Sequence, residues 1–387
     1  MLASKQAQVV VWQPYFRGGG AEAVALWILE ALQDDFDVSL HTLANVDLAK
    51  LNMMYGTHLS EERIEVISSI PRSLSGLAYS AMAKSEIIRM GLVYLTIHHL
   101  KKKSLQYDAA FSAFNAIDMG CVGLQYLHWV RVVETSPEKA PLWYRALMKW
   151  VDFSYESLQD NVSISNSCYT ADQVKKTYDM DSMVVYPPVV TDIDALPWDK
   201  KEKAFLCSGR LVEAKSPHRV INILKAVRQK GFEVDLHITG GGGGVYANKY
   251  QRSLRKLIQE NSDWVHLHQD LPYADYLKIV AKCRYGIHWK PEPFGISVAE
   301  MVKGGMVPFV KSKGGQIEII GDDHAEFLSF SKDDEAVQKI VKVLSGEKLQ
   351  ESLRQSLEKR KKLFTTQRFT KQIRDIVYEF IENKKVC

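Results

Sequence analysis

The stretch Lys290–Glu300, which reads KPEPFGISVAE, is the part of the sequence that decides the fold. The short apolar segment 285–288 before it predicts a strand, and the residues from Gly295 onward predict a helix. Glu292 then follows the carboxyl end of the strand, and Glu300 lies about one turn into the helix. Ligands bind at this edge of an open α/β sheet, so the stretch predicts a binding site on a parallel sheet.

Backbone amides at the start of the predicted helix add an anion site to the two acids. The N–H groups of Phe294, Gly295 and Ile296 would point, with the helix dipole, at a bound anion. Carboxylates beside such a site could accept hydrogen bonds from sugar hydroxyls. For the stretch taken alone, two exposed acids in a surface turn are the alternative.

The composition indicates a folded protein without a nucleic-acid-binding surface. The chain has 387 residues, of which 46% are hydrophobic and 25% charged, and a net charge of +4. The length predicts two or three domains. Nucleic acid is not expected as a partner, because the charge is small and no basic stripe is interleaved with aromatic residues.

The cysteines predict free thiols in a reducing compartment, because they are scattered and form no Cys-x-x-Cys pair. They are Cys121, Cys168, Cys207, Cys283 and Cys387. No zinc or other metal site is expected. The sequence shows no apolar signal segment after Met1 and no run long enough to span a bilayer. We expect a cytoplasmic protein, with peripheral contact to the cytoplasmic face of a membrane as an open alternative.

The first half of the chain begins with a predicted strand, Gln8–Trp12, followed by a glycine loop and a helix. The loop contains Gly18, Gly19 and Gly20. Adjacent glycines let a ligand approach the backbone at a helix N-terminus, so Gly19 and Gly20 are candidate ligand contacts. The loop matches neither the dinucleotide fingerprint nor a Walker loop. A tight turn with positive φ is an equally weighted alternative.

Two apolar segments of the first half predict long helices. Residues 76–103 end in three lysines, and residues 142–155 are rich in aromatic side chains. Packing against the core is the simpler interpretation of both segments. The alternative is that the first lies on an anionic membrane and that the second lines an acceptor or membrane groove.

His128 stands at the end of the strand predicted over 122–127. A histidine at that position could hydrogen-bond a hydroxyl or a developing charge. A buried histidine with a purely structural hydrogen bond is the alternative.

The pair Pro187-Pro188 predicts a linker, after which the α/β pattern starts again. We therefore expect an N-terminal domain over residues 1–188 and a C-terminal domain over residues 189–365. The last helix, within 366–387, is expected to pack back on the first domain.

A loop after the strand predicted over 203–207 carries two cations. Gly209 is followed by Arg210 and, five residues later, by Lys215. A forked guanidinium and a flexible ammonium would pair well with a diphosphate. Two exposed loop cations are the alternative.

The strand predicted over 234–239 runs into five consecutive glycines, 240–244. Such a run is costly to order, so it serves either a close ligand approach or a flexible hinge. Gly240 and Gly241, nearest the strand, are candidate ligand contacts.

Together these features resemble the retaining family-4 glycosyltransferases of the GT-B fold. The resemblance covers most of the chain and is densest over residues 205–320. It rests on the order of the pieces, from the glycine loop and His128 through Arg210 and Lys215 to Glu292 and Glu300. It implies an α/β architecture of two Rossmann-like domains whose parallel sheets face each other across an interdomain cleft.

The resemblance also implies roles for individual residues. The implied catalytic residues are His128, Arg210, Lys215 and Glu292. The implied donor contacts are Gly19, Gly20, Gly209, Arg210, Lys215, Gly240, Gly241, Glu292, Phe294, Gly295, Ile296 and Glu300.

In that assignment Arg210 and Lys215 neutralise the donor diphosphate, and Glu292 contacts hydroxyls of the transferred sugar. Glu300 accepts hydrogen bonds from the ribose, and His128 lies near the anomeric centre. The residues 129–131 that follow His128 depart from the family pattern, which puts the acceptor geometry in doubt and leaves the donor site as it is.

The resemblance implies an acceptor-binding first domain and a donor-binding second domain. The co-substrate would be a GDP- or UDP-linked sugar, and no cofactor or metal is implied. Asp192-Ile193-Asp194 has the spelling of a metal motif but lies in the linker. The implied reaction is front-face attack by an acceptor hydroxyl, with the departing phosphate taking the proton.

A looser likeness to enzymes that extend lipid-linked glycans predicts mannose as the sugar and a lipid-linked or polysaccharide glycan as the acceptor. One alternative is a glucosyl- or N-acetylhexosaminyl-transferase of cell-surface polysaccharide synthesis. Another is a nucleotide-sugar-binding protein without transfer activity. A dinucleotide-dependent oxidoreductase fails on the missing fingerprint.

Overall fold

The computed structural model describes residues 6–130, 141–190, 193, 195–241 and 248–386. The chain divides into two compact units, Met1–Pro188 with Thr366–Cys387, and Val189–Thr365. Some residues named above lie outside the described residues: Met1, Arg131, Asp192, Asp194, glycines 242–244 and Cys387.

The first unit is built on a seven-stranded parallel sheet of order β3-β2-β1-β4-β5-β6-β7. Its strands are β1 Gln8–Trp12, β2 Asp37–Thr42, β3 Ile64–Ser68, β4 Ala109–Ser112, β5 Leu124–Leu127, β6 Val162–Ser165 and β7 Met183–Val184. Its α-helices are α1 Gly20–Leu32, α2 Leu48–Tyr55, α3 Ser75–Lys84, α4 Glu86–Lys103, α5 Leu142–Trp150, α6 Tyr155–Gln159, α7 Cys168–Tyr178 and α16 Thr366–Val386.

The second unit has a six-stranded parallel sheet of order β10-β9-β8-β11-β12-β13. Its strands are β8 Glu202–Ser208, β9 Asp235–Gly240, β10 Val265–Gln269, β11 Cys283–His288, β12 Val307–Lys311 and β13 Ser329–Phe330. Its α-helices are α8 Pro217–Gln229, α9 Asn248–Gln259, α10 Tyr273–Lys282, α11 Ile296–Lys303, α12 Gln316–Ile320, α13 Ala325–Leu328, α14 Asp333–Leu344 and α15 Glu347–Arg360.

Both sheets have the same switch in strand order. The chain first adds strands on one side, β1 to β3 or β8 to β10, and then continues on the other side at β4 or β11. The crevice at the carboxyl ends of the two strands that flank this switch is the ligand site of open α/β sheets. The predicted α/β architecture of two Rossmann-like parallel sheets is confirmed.

Buried apolar runs explain why these strands form. The side chains of Val9, Val10 and Val11 are all but inaccessible to solvent, as are those of Phe205 and Leu206 in β8. Parallel strands covered by helices on both faces read as continuous apolar runs, which is the pattern that predicts them.

The single helices predicted over 76–103 and 142–155 are wrong, because each segment contains a helix start inside it. Ser85 is extended, and its hydroxyl accepts a hydrogen bond from the amide of Ile88, so it caps α4. Ser154 caps α6 in the same way through the amide of Ser157. Serine competes for backbone donors at such positions, which breaks an otherwise helical pattern.

The last helix, α16, packs within the first unit. Its residues Phe369, Ile373 and Val377, spaced four apart, are buried. The ring of Phe369 packs edge-on against that of Tyr126, with 6.1 Å between the ring centroids. Arg374 adds an ion pair to Asp35 at 3.1 Å. The spacing places one apolar stripe of the helix against the core. Among the described residues, no helix combines the length and apolarity that crossing a bilayer requires.

Candidate functional site

The loop after β8 places two cations at the switch of the second sheet. Gly209 adopts a φ of 149°, and its amide donates a hydrogen bond to the carbonyl of Thr239 at 3.0 Å. The loop continues through exposed Arg210 to a short 3-10 turn, Glu213–Lys215, before α8 begins. Within the described residues, no hydrogen bond or ion pair engages the guanidinium of Arg210, so it is available to a ligand.

Lys215 forms an ion pair with Glu292, which arrives from the loop after β11. The Nζ atom of Lys215 lies 2.5 Å from Oε1 of Glu292, and both side chains are largely buried. The same carboxylate oxygen lies 3.5 Å from Nε2 of His288 and 4.0 Å from Nζ of Lys290. The loops that follow β8 and β11 thus meet where the sheet predicts its ligand site.

The surroundings of Glu292 keep it ionised. Burial raises the pKa of its carboxyl, but the interaction with His288 and the charge of Lys215 outweigh burial and lower the pKa to about 2. Burial acts in the opposite direction on His288, where it lowers the pKa and so favours the neutral ring. Glu292 therefore presents a full negative charge, held between a cation and a neutral imidazole.

A glycine turn after β12 fixes the backbone of Glu292. The amide of Gly315 donates to the carbonyl of Glu292 at 3.0 Å. Gly314, at a φ of 100°, approaches so closely that a side chain there would collide with the same carbonyl. The close approach of this turn to the backbone of Glu292 accounts for the glycine pair, and no ligand contact is needed to explain it.

Helix α11 brings the second acid of the stretch into the same unit. It begins at Ile296 after Gly295, whose φ of 107° suits glycine, and Phe294 is buried against the ring of Phe364 at 5.7 Å. In the first turn the amides of Val298 and Ala299 both donate to the carbonyl of Gly295, at 2.9 and 3.2 Å, and the positive end of the helix dipole lies at this N-terminus. Glu300 lies one turn further along α11.

Glu300 is held by tyrosines of α10. The hydroxyl of Tyr276 donates to its Oε2 at 2.7 Å, and Tyr273, whose hydroxyl donates to the carbonyl of Val190 at 2.8 Å, lies beside the carboxyl. Part of Glu300 remains exposed, yet protein surrounds the carboxyl closely, and burial raises its pKa to about 7 against the effect of the two tyrosines. Glu300 is therefore partly protonated at neutral pH, unlike Glu292.

Gly240 and Gly241 lie beside the cation loop. A side chain at Gly240 would collide with the carbonyl of Gly209, and the amide of Leu211 donates to the carbonyl of Gly241 at 3.2 Å. The first two glycines of the run therefore allow the loops after β8 and β9 to pack together.

The glycine loop of the first unit is occupied by its own side chains. One carboxylate oxygen of Glu22 accepts from the amides of Arg17 and Gly18 at 2.7 and 2.5 Å. The amide of Gly19 donates to the hydroxyl of Tyr55 at 3.0 Å. A phosphate could therefore use these amides only by displacing Glu22 and Tyr55. Gly20 is the first residue of α1.

His128 is buried directly after β5. Its Nε2 atom donates to the carbonyl of Ala113 at 2.9 Å, and its amide donates to Oδ1 of Asn115 at 2.8 Å. Burial lowers the pKa of His128 to about 4 against the effect of the Ala113 bond. The ring is neutral, and with its proton on Nε2 it keeps Nδ1 as an acceptor.

The structure brings together the predicted site residues of the second unit and adds partners that the sequence analysis missed. The brought-together residues are Gly209, Arg210, Lys215, Gly240, Gly241 and Glu292, with Phe294, Gly295, Ile296 and Glu300 on the adjoining turn and helix. Gly19, Gly20 and His128 belong to the first unit.

The missed partners are His288, Tyr276 and Glu22. His288 ends a strand directly before the stretch, which is a usable signal, and Glu22 stands two residues after the glycines. Tyr276 carries no signal in the sequence, since only the fold places α10 beside α11. Among the described residues, no three His, Cys, Asp or Glu side chains are grouped to hold a metal ion.

Part of the chain matches a known protein family. Residues 190–360, less than half of the chain, match the family model described as Glycosyl transferases group 1. No curated protein sequence matches the chain significantly.

Solved structures share the fold over nearly the whole chain. The Anabaena protein Alr3699/HepE, solved in complex with UDP-glucose, is 16% identical, with a TM-score of 0.67 and coverage of 96% of this chain and 100% of that one. WaaG, a glycosyltransferase involved in lipopolysaccharide biosynthesis, is 14% identical, with a TM-score of 0.65 and coverage of 95% and 99%. The sucrose-phosphate synthase of Thermosynechococcus elongatus is 13% identical, with a TM-score of 0.67 and coverage of 97% and 100%.

Proposed function

We propose that the chain is a glycosyltransferase that moves a hexose from a nucleotide-diphosphate sugar to a hydroxyl of a glycan acceptor. The observation that carries the proposal is the pairing of Lys215 with Glu292 at the switch of the second sheet. It lies in the segment that matches the Glycosyl transferases group 1 model. A cation for phosphate and an ionised acid for hydroxyls, side by side, suit a sugar diphosphate.

In this proposal the second unit binds the donor. Arg210 and Lys215 neutralise the diphosphate, together with the amides at the start of α11. Glu292 accepts from hydroxyls of the sugar, and Glu300 accepts from hydroxyls of the ribose. The first unit binds the acceptor, and its residues Gly19, Gly20 and His128 keep the roles that the resemblance implies for them.

The proposed reaction retains the configuration of the sugar and needs no protein nucleophile or metal. The acceptor oxygen forms a bond to the anomeric carbon on the face from which the bond to the diphosphate oxygen breaks. The proton of the acceptor hydroxyl goes to the departing diphosphate. Arg210, Lys215 and the dipole of α11 stabilise the charge that develops there.

For the sugar we propose mannose, and for the acceptor a lipid-linked or polysaccharide glycan, with the enzyme acting in the cytoplasm. The Anabaena relative was solved with UDP-glucose, which makes glucose the first competing sugar to test. A donor panel should therefore contain both GDP- and UDP-linked sugars.

The decisive experiment measures donor hydrolysis and transfer across that panel for the wild type and for Glu292→Ala. We expect turnover with one donor and loss of turnover in the variant. Because Lys215 loses its buried partner, the variant should also be less stable than the wild type, so the assay is run at a temperature at which circular dichroism shows both proteins to be folded. Glu335→Ala is the matched control, because Glu335 pairs with Lys339 at 2.8 Å in the same unit.

Full activity of Glu292→Ala would overturn the site assignment. Binding of a nucleotide sugar without turnover of any donor would instead favour a non-catalytic binding protein.

A further inference from the structure

Helices α3 and α4 of the first unit present apolar side chains to solvent. Of the ten residues of α3, only Met82 is buried. The exposed apolar residues lie on α3, on the 3-10 turn before it and on the first turn of α4, and we call them the α3–α4 surface. They are Leu74, Leu77, Ile87 and Ile88, exposed to 48%, 71%, 54% and 43%.

The rest of α4 is different. Val93, Ile97 and Leu100 are buried in the core of the first unit, so the second half of the helix is an ordinary core-facing helix. On α4, the exposed apolar residues of this surface are therefore confined to the first turn, and the others lie on α3 and on the 3-10 turn before it. Single exposed apolar residues are common, whereas a cluster on an element with so little burial of its own marks an interaction surface.

The charge of this segment is strongly biased. Between Glu65 and Asp108 the chain has six Lys or Arg residues and one acid, Glu86, which gives +5 where the whole chain carries +4. Two of the six cations have acidic partners, since Arg89 pairs with Glu86 and Lys101 with buried Asp118. The exposed cations that remain are Arg72 and Lys84, which flank the α3–α4 surface, and Lys102 and Lys103, which lie at the other end of α4. Those two lysines are roughly 20 Å from the first turn along the helix axis.

We infer that the α3–α4 surface docks the protein on an anionic lipid bilayer. Apolar side chains of an exposed helix enter the boundary between headgroups and acyl chains, and flanking cations are attracted by anionic lipid. A second copy of the chain fits this surface less well, because a two-fold contact would set the same positive charges against each other.

The surface adjoins the glycine loop of the same unit. The hydroxyl of Tyr79, on α3, lies close to the backbone of Phe16, just before the loop glycines. A bilayer at this surface would hold a lipid-attached acceptor near the loop. In that respect only, the inference rests on the proposed function.

The test is co-sedimentation of the full chain with vesicles of phosphatidylcholine alone or mixed with phosphatidylglycerol. We expect binding to the mixed vesicles only, and weaker binding as salt is added. The variant Leu77→Glu with Ile87→Glu should lower the affinity by at least about tenfold for each side chain removed. Met53→Glu, at an equally exposed apolar residue of α2, should leave it unchanged.

A charge series separates lipid attraction from apolar contact. Lys84→Gln should weaken binding about fivefold, whereas Lys225→Gln, an exposed cation of the second unit, should have no effect. Unchanged thermal unfolding and unchanged UDP binding of every variant show that folding and the donor site are intact.

The inference is overturned if the wild type binds neither kind of vesicle, or if the double variant binds as well as the wild type. It is also overturned if the wild type is a dimer in solution that the double variant dissociates while vesicle binding is absent. Because vesicle binding is measured without substrate, this result does not depend on whether the protein transfers a sugar.

Discussion

The two acids of the stretch 290–300 should respond to the same substitution in opposite ways. Glu292→Gln removes a charge that the fold stabilises, and Glu300→Gln removes a charge that the fold opposes. Glutamine keeps the size of the side chain and one carbonyl oxygen, so the comparison isolates ionisation. We expect Glu292→Gln to destabilise the protein at neutral pH and Glu300→Gln to stabilise it above pH 7.

The magnitudes follow from the two pKa values. The pKa of Glu300 is raised from 4.5 to about 7, so the folded state holds its proton more tightly and loses stability as pH rises between these values. The full difference corresponds to roughly 3 kcal/mol, and partial contact with solvent reduces it to about 1.5 kcal/mol. The pKa of Glu292 is lowered from 4.5 to about 2, so its contribution is present above 4.5 and is lost as pH falls toward 2.

Chemical denaturation at about pH 5 and about pH 8 measures both effects. Glu300→Gln should match the wild type at the lower pH and exceed it by about 1.5 kcal/mol at the higher. Glu292→Gln should lose roughly 2–3 kcal/mol at both, since Lys215 is left without its buried partner. Glu335→Gln, at a more exposed ion pair, serves as the control. If Glu300→Gln were destabilising at the higher pH, the account of Glu300 would be refuted.

Three further outcomes are expected. Lys215→Met should weaken UDP binding in calorimetry by about tenfold or more, because a charge-assisted contact to phosphate is lost. Lys339→Met is the control and should leave UDP binding unchanged. If the wild type and Lys215→Met bound UDP with equal affinity, Lys215 would not belong to the donor site. The UDP affinity of the wild type should rise as pH rises through about 7, because Glu300 accepts hydrogen bonds from ribose hydroxyls better once it is ionised. Glu300→Gln should flatten that rise. A flat wild-type profile would contradict the role of Glu300. Glu22→Ala should lower the free energy of unfolding by about 1–3 kcal/mol, because two loop amides lose their hydrogen-bond acceptor. Glu22→Gln keeps a side-chain oxygen and should lower it by less. If the two variants lost the same free energy of unfolding, the loop amides would not depend on the side-chain oxygen of residue 22.

The strands were predictable because burial on both faces leaves a plain trace. The predicted strand over Gln8–Trp12 matches β1, and apolar runs before Gly209 and Lys290 likewise coincide with strands. The two-residue strand β13 was not predicted, because two residues are too few to show a hydrophobic pattern. The helix breaks at Ser85 and Ser154 each depend on a single serine hydroxyl. A prediction from the spacing of apolar residues takes no account of that hydroxyl, so it continued the helix through both breaks.

The site was predictable as a set of residues but not as a set of contacts. Spacing and residue type singled out Lys215 and Glu292 separately, and only the sheet order places their loops side by side. The glycine loop of the first unit shows where the same reasoning fails. Gly18 and Gly19 look like a phosphate loop, yet Glu22 and Tyr55 occupy their amides.

The ion pair between Lys215 and Glu292 explains how one site can serve both parts of a sugar diphosphate. Without a ligand, each charge is largely buried and stabilised by the other at 2.5 Å. A diphosphate gives Lys215 a second, stronger anionic partner, and sugar hydroxyls give Glu292 new donors in place of the ammonium. Removing Lys215 alone leaves Glu292 as an unpaired negative charge beside the diphosphate, so this single variant should bind UDP more weakly than the double variant, in which that charge is also gone.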